Sequence, residues 1–375
     1  MTIATGSPSR RPRRERPRGF SRVQYAQPPE TDRSDVTPHP RLSMRDVADM
    51  ARVSIGTVSN VVNNPERVLP ATRERVEEAI RTLGWAPNQQ AQALRAGKSR
   101  VIGLAVMDVA NPFFADVLRG AQGRLEEAGY AATIGDSDNR PEREASALRS
   151  FRDQRVRGVI LGPIGATPSE VDSLLQTRIP TVLVDRASGG AGCTVGVDDV
   201  AGGRIAAEHL IAQGHTALAF VGGPSSLAQV RDRRQGAEEA AADAGVSLLA
   251  VSVDALDFAS GRAAAEQLAL LPAAERPTGI FCANDMIAIG LLQGLVAARI
   301  RVPQDVAIVG YDDIDFAAAA AVPLSSVAQP RRELGAAAAE LLLQEIQDQD
   351  AGLAHEHRTI SYTPTLVPRA SSVPS

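Results

Sequence analysis

From residue 101 onward the chain alternates short apolar runs with amphipathic helical stretches, and this alternation constrains the fold more than any other feature. Nine runs read as strands: 101–107, 131–137, 156–162, 181–185, 194–198, 218–223, 248–254, 278–285 and 305–313. Helical patterns lie between most of them, such as FADVLRGAQGRLEEAG and AGGRIAAEHLIAQG. Continuous apolar strands separated by helices imply a parallel sheet covered on both faces. Nine strands exceed one sheet of ordinary size, so two doubly wound subdomains with a cleft between them are expected. Ligands of such folds sit beyond the carboxyl ends of the strands. Polar residues collect there in this sequence: Asp108, Asp185-Arg186, Asp198-Asp199, Asn284-Asp285 and Asp312-Asp313, with Arg231, Arg233 and Arg234 on the helix after GGPSS. Phe113, Phe114 and Phe281 can wall the pocket. Carboxylates and guanidinium groups beside aromatic faces suit a sugar, whose hydroxyls pair with the former and whose ring stacks on the latter. Any single acid here also reads as an N-cap or a left-handed turn residue, and that reading is favoured for Asp199, Asp285 and Asp313.

The N-terminal third reads differently. Residues 44–63, MRDVADMARVSIGTVSNVVN, form two short helices around a tight turn through Ala51, Arg52 and Val53. Ser43 and Asp46 resemble a capping box. Val47, Ala48 and Met50 are assigned to the inner face of the first helix. Ser54 caps the second, which buries Val58 and either Val61 or Val62. Ile55, Gly56, Thr57, Ser59 and Asn60 are left on the exposed face. Small and polar side chains without Glu or Lys suit a helix that enters the major groove. A third helix spans Thr72–Leu83, with Val76, Ala79, Ile80 and Leu83 inward and Gly84 as C-cap. Pro87-Asn88 and a short QQAQALRAGKS segment follow.

The order DVA, VS, TVS, V, N, TR, V, AI, LG, PN, A and L over these positions resembles the bacterial lactose-repressor/galactose-repressor (LacI/GalR) family of transcription factors, from about Ser43 to the end of the chain. The resemblance implies an all-α helix-turn-helix domain followed by an α/β, periplasmic-binding-protein-like core of two doubly wound parallel-sheet subdomains. The expected divisions are a disordered Arg/Pro-rich extension (1–40), the DNA-binding domain (41–87), a hinge helix and linker (88–100) and an effector-binding and dimerisation core (101–375). Within the core, subdomain 1 takes about 101–200 and 328–355, and subdomain 2 about 201–327 and 356–370. The chain then crosses three times, near 199–202, 325–330 and 354–358. The candidate DNA-contacting residues are Ser54, Ile55, Gly56, Thr57, Ser59, Asn60, Asn63 and Arg67, together with Asn88 as hinge cap and Leu94 as a minor-groove wedge. The same resemblance makes Arg233, Asn284 and Asp312 effector contacts beside Phe113, Phe114 and Phe281. It implies a homodimeric repressor of double-stranded operator DNA whose effector is a sugar or sugar derivative. The sequence departs from the family where Arg52 replaces a usual Gly, Asn60 a usual Arg and Trp85 a usual Tyr.

Charge agrees with a nucleic-acid binder. The first hundred residues carry a net +8 and the rest a net −12, making the overall −4. A basic head on an acidic body keeps the body off the DNA. No run of about 18 apolar residues suggests a membrane span. The Arg-rich start has no apolar stretch after it, so no signal peptide is expected and the protein reads as cytoplasmic. Cys193 and Cys282 read as buried free thiols. His209 and His215 read as structural. No nucleophile–base pair, P-loop lysine or metal-ligand spacing stands out, so neither catalysis, a cofactor nor a metal is expected. A secreted sugar-binding protein would share the core but not the DNA-binding head.

Overall fold

The computed structural model describes residues 42–85, 99–164, 174, 177–186 and 192–373. The chain divides into two units at Pro87, each described by itself. The extension before residue 41 and the hinge residues Asn88 and Leu94 lie outside the described residues.

The first unit is three helices: α1 (Met44–Ala51), α2 (Ile55–Asn63) and α3 (Pro70–Leu83). α1 starts where expected, with the Asp46 carboxylate accepting from the Ser43 backbone N–H and hydroxyl, both at 2.7 Å. It ends at Arg52, which adopts the left-handed conformation (φ 51°, ψ 51°) that the family usually assigns to glycine. Ser54 Oγ then accepts the Thr57 N–H at 3.0 Å and caps α2. The core gathers Val47, Ala48, Ala51, Val58, Val61, Val76, Ala79 and Trp85, with Ile80 and Leu83 packed against it. Met50 is corrected: it is 47% exposed, because Ala51 takes the inward position one residue later. Gly84 closes α3 in the left-handed conformation (φ 62°), letting the Trp85 N–H reach the Ile80 carbonyl at 3.2 Å and seat the indole on the core.

The second unit holds two six-stranded sheets. The first contains β1 (Val101–Val106), β2 (Ala131–Asp136), β3 (Gly158–Leu161), β4 (Thr181–Val184), β5 (Cys193–Val197) and β11 (Thr359–Tyr362), in the order β11-β5-β4-β3-β1-β2. The second contains β6 (Ala217–Gly222), β7 (Ser247–Ser252), β8 (Gly279–Cys282), β9 (Ala307–Asp312), β10 (Ser325–Ala328) and β12 (Thr365–Val367), in the order β12-β10-β9-β8-β6-β7. Every pairing is parallel except β10 with β12. The nine apolar runs all form strands. β10, β11 and β12 were not among them: they are three or four residues long and rich in Ser and Thr, with too little apolar content to announce a strand. The third crossing is corrected as well. β11 pairs with β5, so the chain stays with the first sheet through Tyr362 and changes sheets just before Thr365, not at 354–358.

The covering helices are α4 (Pro112–Glu127), α5 (Pro141–Asp153), α6 (Asp199–Ala212), α7 (Ala228–Asp243), α8 (Phe258–Ala269), α9 (Asp285–Ala297), α10 (Asp315–Ala319) and α11 (Arg331–Ala351). Three pairs meet through reciprocal glycines. A Cβ at Gly203 of α6 would strike the Arg233 carbonyl of α7, and one at Gly236 would strike the Val200 carbonyl. Gly120 and Gly335 do the same for α4 and α11, and Gly261 and Gly290 for α8 and α9. These helices therefore touch backbone to backbone at the glycines.

Two substitutions test these features. Arg52→Gly removes the cost of a left-handed side-chain residue and should stabilise the helical unit by about 1 kcal/mol; denaturant unfolding followed by Trp85 fluorescence reads it. Gly203→Ala drives a methyl into backbone that cannot turn aside. It should destabilise the second unit by about 1–3 kcal/mol, read as a lowered thermal midpoint.

Candidate functional site

On the first unit the face expected to meet DNA is the outer side of α2. Ile55, Gly56 and Asn60 are exposed, and Thr57 and Ser59 are half-exposed. Ser54 and Thr57 are engaged with each other, their hydroxyl oxygens 2.9 Å apart, which fixes the start of the helix. Asn63 is exposed and folds its amide back onto the Ser59 carbonyl at 2.8 Å. Arg67 is exposed in the turn after α2, 4.0 Å from Glu66. The face is uncharged along its centre.

In the second unit a cleft opens at the carboxyl ends of the parallel strands. It is lined by Met107 and Asp108 after β1, Asn139 after β2, Asp185 after β4, Gln229 and Arg233 on α7, Leu256 after β7, Asn284 after β8 and Asp312 at the end of β9. Asn111, Phe113 and Phe114 complete it from the start of α4. The cleft is narrow in this structure, its enclosed space about 20 Å³, room for a body of about water size. Phe113 and Phe114 are held edge to face with centroids 5.0 Å apart, and Asn111 Oδ1 accepts the Phe113 N–H at 3.0 Å.

Arg233 forms the floor. It is 3% exposed. Its Nε donates to Asp199 Oδ1 at 2.8 Å and its Nη1 to the Ala283 carbonyl at 2.8 Å, while Asp312 Oδ1 lies 3.7 Å from Nη1. The guanidinium carbon sits 3.8 Å above the centre of the Tyr311 ring, a cation–π contact in a desolvated setting. Burial alone would depress its pKa. The charge of Asp199, with Asp312 and Asp185 beyond, more than offsets this and raises it. Asp199, expected as a turn or cap residue, is thus the partner of the buried cation.

The other acids divide by role. Asp312 is buried, accepts from Gln329 Nε2 at 2.7 Å and is pushed up to about 6 by burial, against the pull of Arg233. Burial likewise raises Asp185 well above the ordinary carboxylate range, with Arg233 opposing. Both leave their strands with positive φ, 101° for Asp312 and 61° for Asp185, as does Asn139 at 54°. Asp and Asn tolerate this better than other side chains, yet it stores strain at the cleft. Asp285 is fully buried and clasps the fold, accepting from Ser326 Oγ at 2.7 Å and the Ile314 N–H at 2.9 Å. Asp313 pairs with Arg369 at 2.6 Å.

Of the expected effector residues, Phe113, Phe114, Arg233, Asn284 and Asp312 line the cleft. Asn284 also caps α9 through the Ile287 N–H (2.9 Å) and donates to the Leu256 carbonyl (3.1 Å), so much of its amide is spent on the fold. Phe281 is corrected. It is 1% exposed and packs on Phe220 and Tyr311, with centroids 5.3 and 6.3 Å away, in the core rather than in the cleft wall. Met107, Asn139, Gln229 and Leu256 line the cleft without having been singled out. Gln229 spans it: from α7 its amide reaches Met107 Sδ at 3.1 Å and Asp185 Oδ2 at 3.4 Å, both on the side of the first sheet. Strand-end position could have found Met107 and Asn139; nothing local marks Gln229. His209 bonds Ser372 Oγ and His215 bonds Thr278 Oγ1, each tying distant segments. Cys193 and Cys282 are both buried and free. Among the described residues no helix is long and apolar enough to cross a membrane.

Two family models match the chain: "Bacterial regulatory proteins, lacI family" over residues 43–88 and "Periplasmic binding protein-like domain" over residues 207–372. The HTH-type transcriptional repressor PurR of Aliivibrio fischeri (strain MJ11) is 33% identical over 334 residues, 88% of this chain and 98% of that protein. The ribose operon repressor of Escherichia coli K12 is 32% identical over 335 residues, 88% of this chain and 99% of that protein. Among solved structures, the lac repressor dimer bound to operator and the anti-inducer ONPF superposes with a TM-score of 0.77 at 28% identity, covering 89% of this chain and all of that one.

Arg233→Ala would strand the Asp199 carboxylate without its cation. It should cost about 3–5 kcal/mol of core stability, whereas Arg233→Lys, which keeps the charge, should cost markedly less. Thermal melts of the two variants read the difference.

Proposed function

Because this chain belongs to the lacI family of bacterial regulatory proteins and is an effector-regulated DNA-binding repressor, we propose that its effector is a small carbohydrate of about monosaccharide size, held in the cleft between the two sheets. The observation that carries this reading is the convergence of Asp185, Asp312 and Arg233 on a cleft flanked by Phe113 and Phe114. The Asp312 carboxyl, when ionised, accepts from hydroxyls more strongly than a neutral protein group would. A relative is named for a ribose operon. Asn284 adds a donor, and Asp108 and Asn139 close the far side.

The repressor acts as a homodimer on a near-palindromic operator, since one reading helix per chain and a two-fold axis give symmetric half-sites. Both sheets end on an edge strand with an exposed apolar side chain, Ile134 on β2 and Leu249 on β7, which suits burial against a second copy. Within each half-site Ile55 and Gly56 set the base preference at the front of α2, with Thr57, Ser59, Asn60, Asn63 and Arg67 alongside. Asn88 and Leu94 supply the hinge cap and the minor-groove wedge. Such a short hinge helix is not stable alone and forms where two hinges meet. A ligand that binds one arrangement of the core better than the other then shifts operator affinity without touching the DNA. Action on chromosomal DNA places the protein in the cytoplasm.

Asp312 provides the test. Asp312→Asn should weaken sugar binding by roughly 10–100-fold, as expected for loss of a charged acceptor, with ligand-free operator affinity unchanged. In the parent, sugar affinity should fall as the pH drops through about 6, where the Asp312 carboxyl takes up its proton and ceases to be a pure acceptor. Calorimetric titration of the full-length protein with a panel of monosaccharides, a unit or more either side of that pH, reads both. Sugar affinity that ignored both the substitution and the pH would remove Asp312 from the site; a panel without any binder would remove the carbohydrate reading.

A further inference from the structure

A second cluster of chemically capable side chains lies at the other end of the first sheet. β11 runs parallel to β5 with Thr359 opposite Thr194, so the segment just before β11 lies beside Cys193, the first residue of β5. α11 packs across β5 and brings Glu345 to the same place. One donor atom from each of Cys193, Glu345, His355 and His357 lies within 4.8 Å of the others. We propose that these four side chains form a zinc site at the amino end of the first sheet, opposite the effector cleft.

The donor set suits that ion. Thiolate, imidazole and carboxylate are the three side-chain ligands of Zn²⁺, and four of them close a tetrahedral shell. A mixed sulfur and nitrogen shell argues against Mg²⁺ and Ca²⁺, which take oxygen. Sulfur and nitrogen atoms held by one tetrahedral zinc ion stand about 3.6 Å apart, given bonds near 2.3 and 2.0–2.1 Å. Cys193 Sγ is 3.3 Å from His355 Nε2 and 3.8 Å from His357 Nδ1, bracketing that value. The outer shell is in place as well. His355 Nδ1 lies 2.7 Å from Asp348 Oδ2, which fixes the proton on Nδ1 and leaves the Nε2 lone pair facing the sulfur. Carboxylate–histidine pairs of this kind orient metal-bound imidazoles. The Arg358 N–H points at Cys193 Sγ from 3.4 Å, as backbone donors do toward a metal-bound thiolate. Glu345 Oε2 is buried with no hydrogen-bond partner among the described residues, an acceptor whose burial a cation would repay.

The path in is open, because His357 is exposed while Cys193 is buried. Binding is a simple exchange. The S–H bond of Cys193 breaks, its proton passes to water, and the sulfur electron pair forms the bond to zinc; no oxidant or reductant takes part. The ion would pin the start of β11 to β5 and α11.

Cobalt(II) is the probe. Full-length protein stripped by a chelator should bind one cobalt per chain, with the strong visible bands of a tetrahedral complex and a thiolate-to-metal charge-transfer band, and zinc should bleach both. Cys193→Ser should abolish the charge-transfer band. Asp348→Asn should weaken binding about 10–100-fold. His357→Ala should weaken it at least as much while the metal-free variant melts like the metal-free parent, since its side chain is exposed. The weak bands of an octahedral complex, no saturation at one ion per chain, or unchanged binding in His357→Ala would overturn the site.

Discussion

The cleft is organised around a cation taken out of water. A buried guanidinium is tolerable only if its charge and its donors are met by protein, because the cost of desolvating it is several kcal/mol. Asp199, the Ala283 carbonyl and the Tyr311 face meet Arg233 from three different elements. That convergence requires α6 and α7 to lie backbone to backbone, which Gly203 and Gly236 permit. Gly202 in turn leaves room for the Tyr311 hydroxyl end, so ring, cation and helix pair are one packing unit. The glycines of the helix interface and the electrostatics of the cleft are therefore a single constraint seen from two sides.

The same unit makes the cleft responsive. Asp185 and Asp312 emerge from their strands with strained backbones and share one nearby cation, so neither is fully compensated in the absence of a ligand. Gln229 bridges the two sides through a 3.4 Å contact to Asp185, a bond that an arriving hydroxyl can replace. Arg331, at the second crossing, holds both sides at once: it meets Asp116 of α4 at 3.3 Å and donates to the Asp313 carbonyl at 2.7 Å. A ligand that satisfies the acids more fully in one arrangement acts directly on these cross-cleft bonds.

Much of this was legible in the sequence because the informative signals are local. Ser43 with Asp46, Ser54 with Thr57 and Gly84 after Leu83 each act within four residues, and each forms the cap its chemistry predicts. The long apolar runs became strands for the same reason. The failures have physical causes too. Phe281 lies within β8, which is buried on both faces, so its ring joins the core, while Asn284 lies past the strand end and becomes a helix cap. Met50 and Ala51 compete for one inward position, and the shorter side chain fits against α3. β11 and β12 are short edge strands, and β10, although interior and buried, is tied down by hydroxyls rather than by apolar side chains alone: Ser325 Oγ bonds the Arg369 carbonyl and Ser372 Oγ. Cys193, Glu345 and the 355–357 pair come from three elements, and no spacing rule could have joined them.

The threading of the core has a consequence for its synthesis. β11 and β12 follow every other strand in sequence, yet each occupies an outer edge of a different sheet, and α11 just before them covers three strands of the first. As the polypeptide leaves the ribosome, the first sheet can pair β1 to β5 and the second β6 to β10, but both keep a bare edge until residues 359–367 have emerged. Nascent chains that hold unpaired strand edges are prone to pairing with one another. The two halves of this core therefore mature together, once residues 359–367 have emerged, rather than one after the other. The helical unit, whose last helix ends at Leu83, emerges long before either sheet gains its last strand.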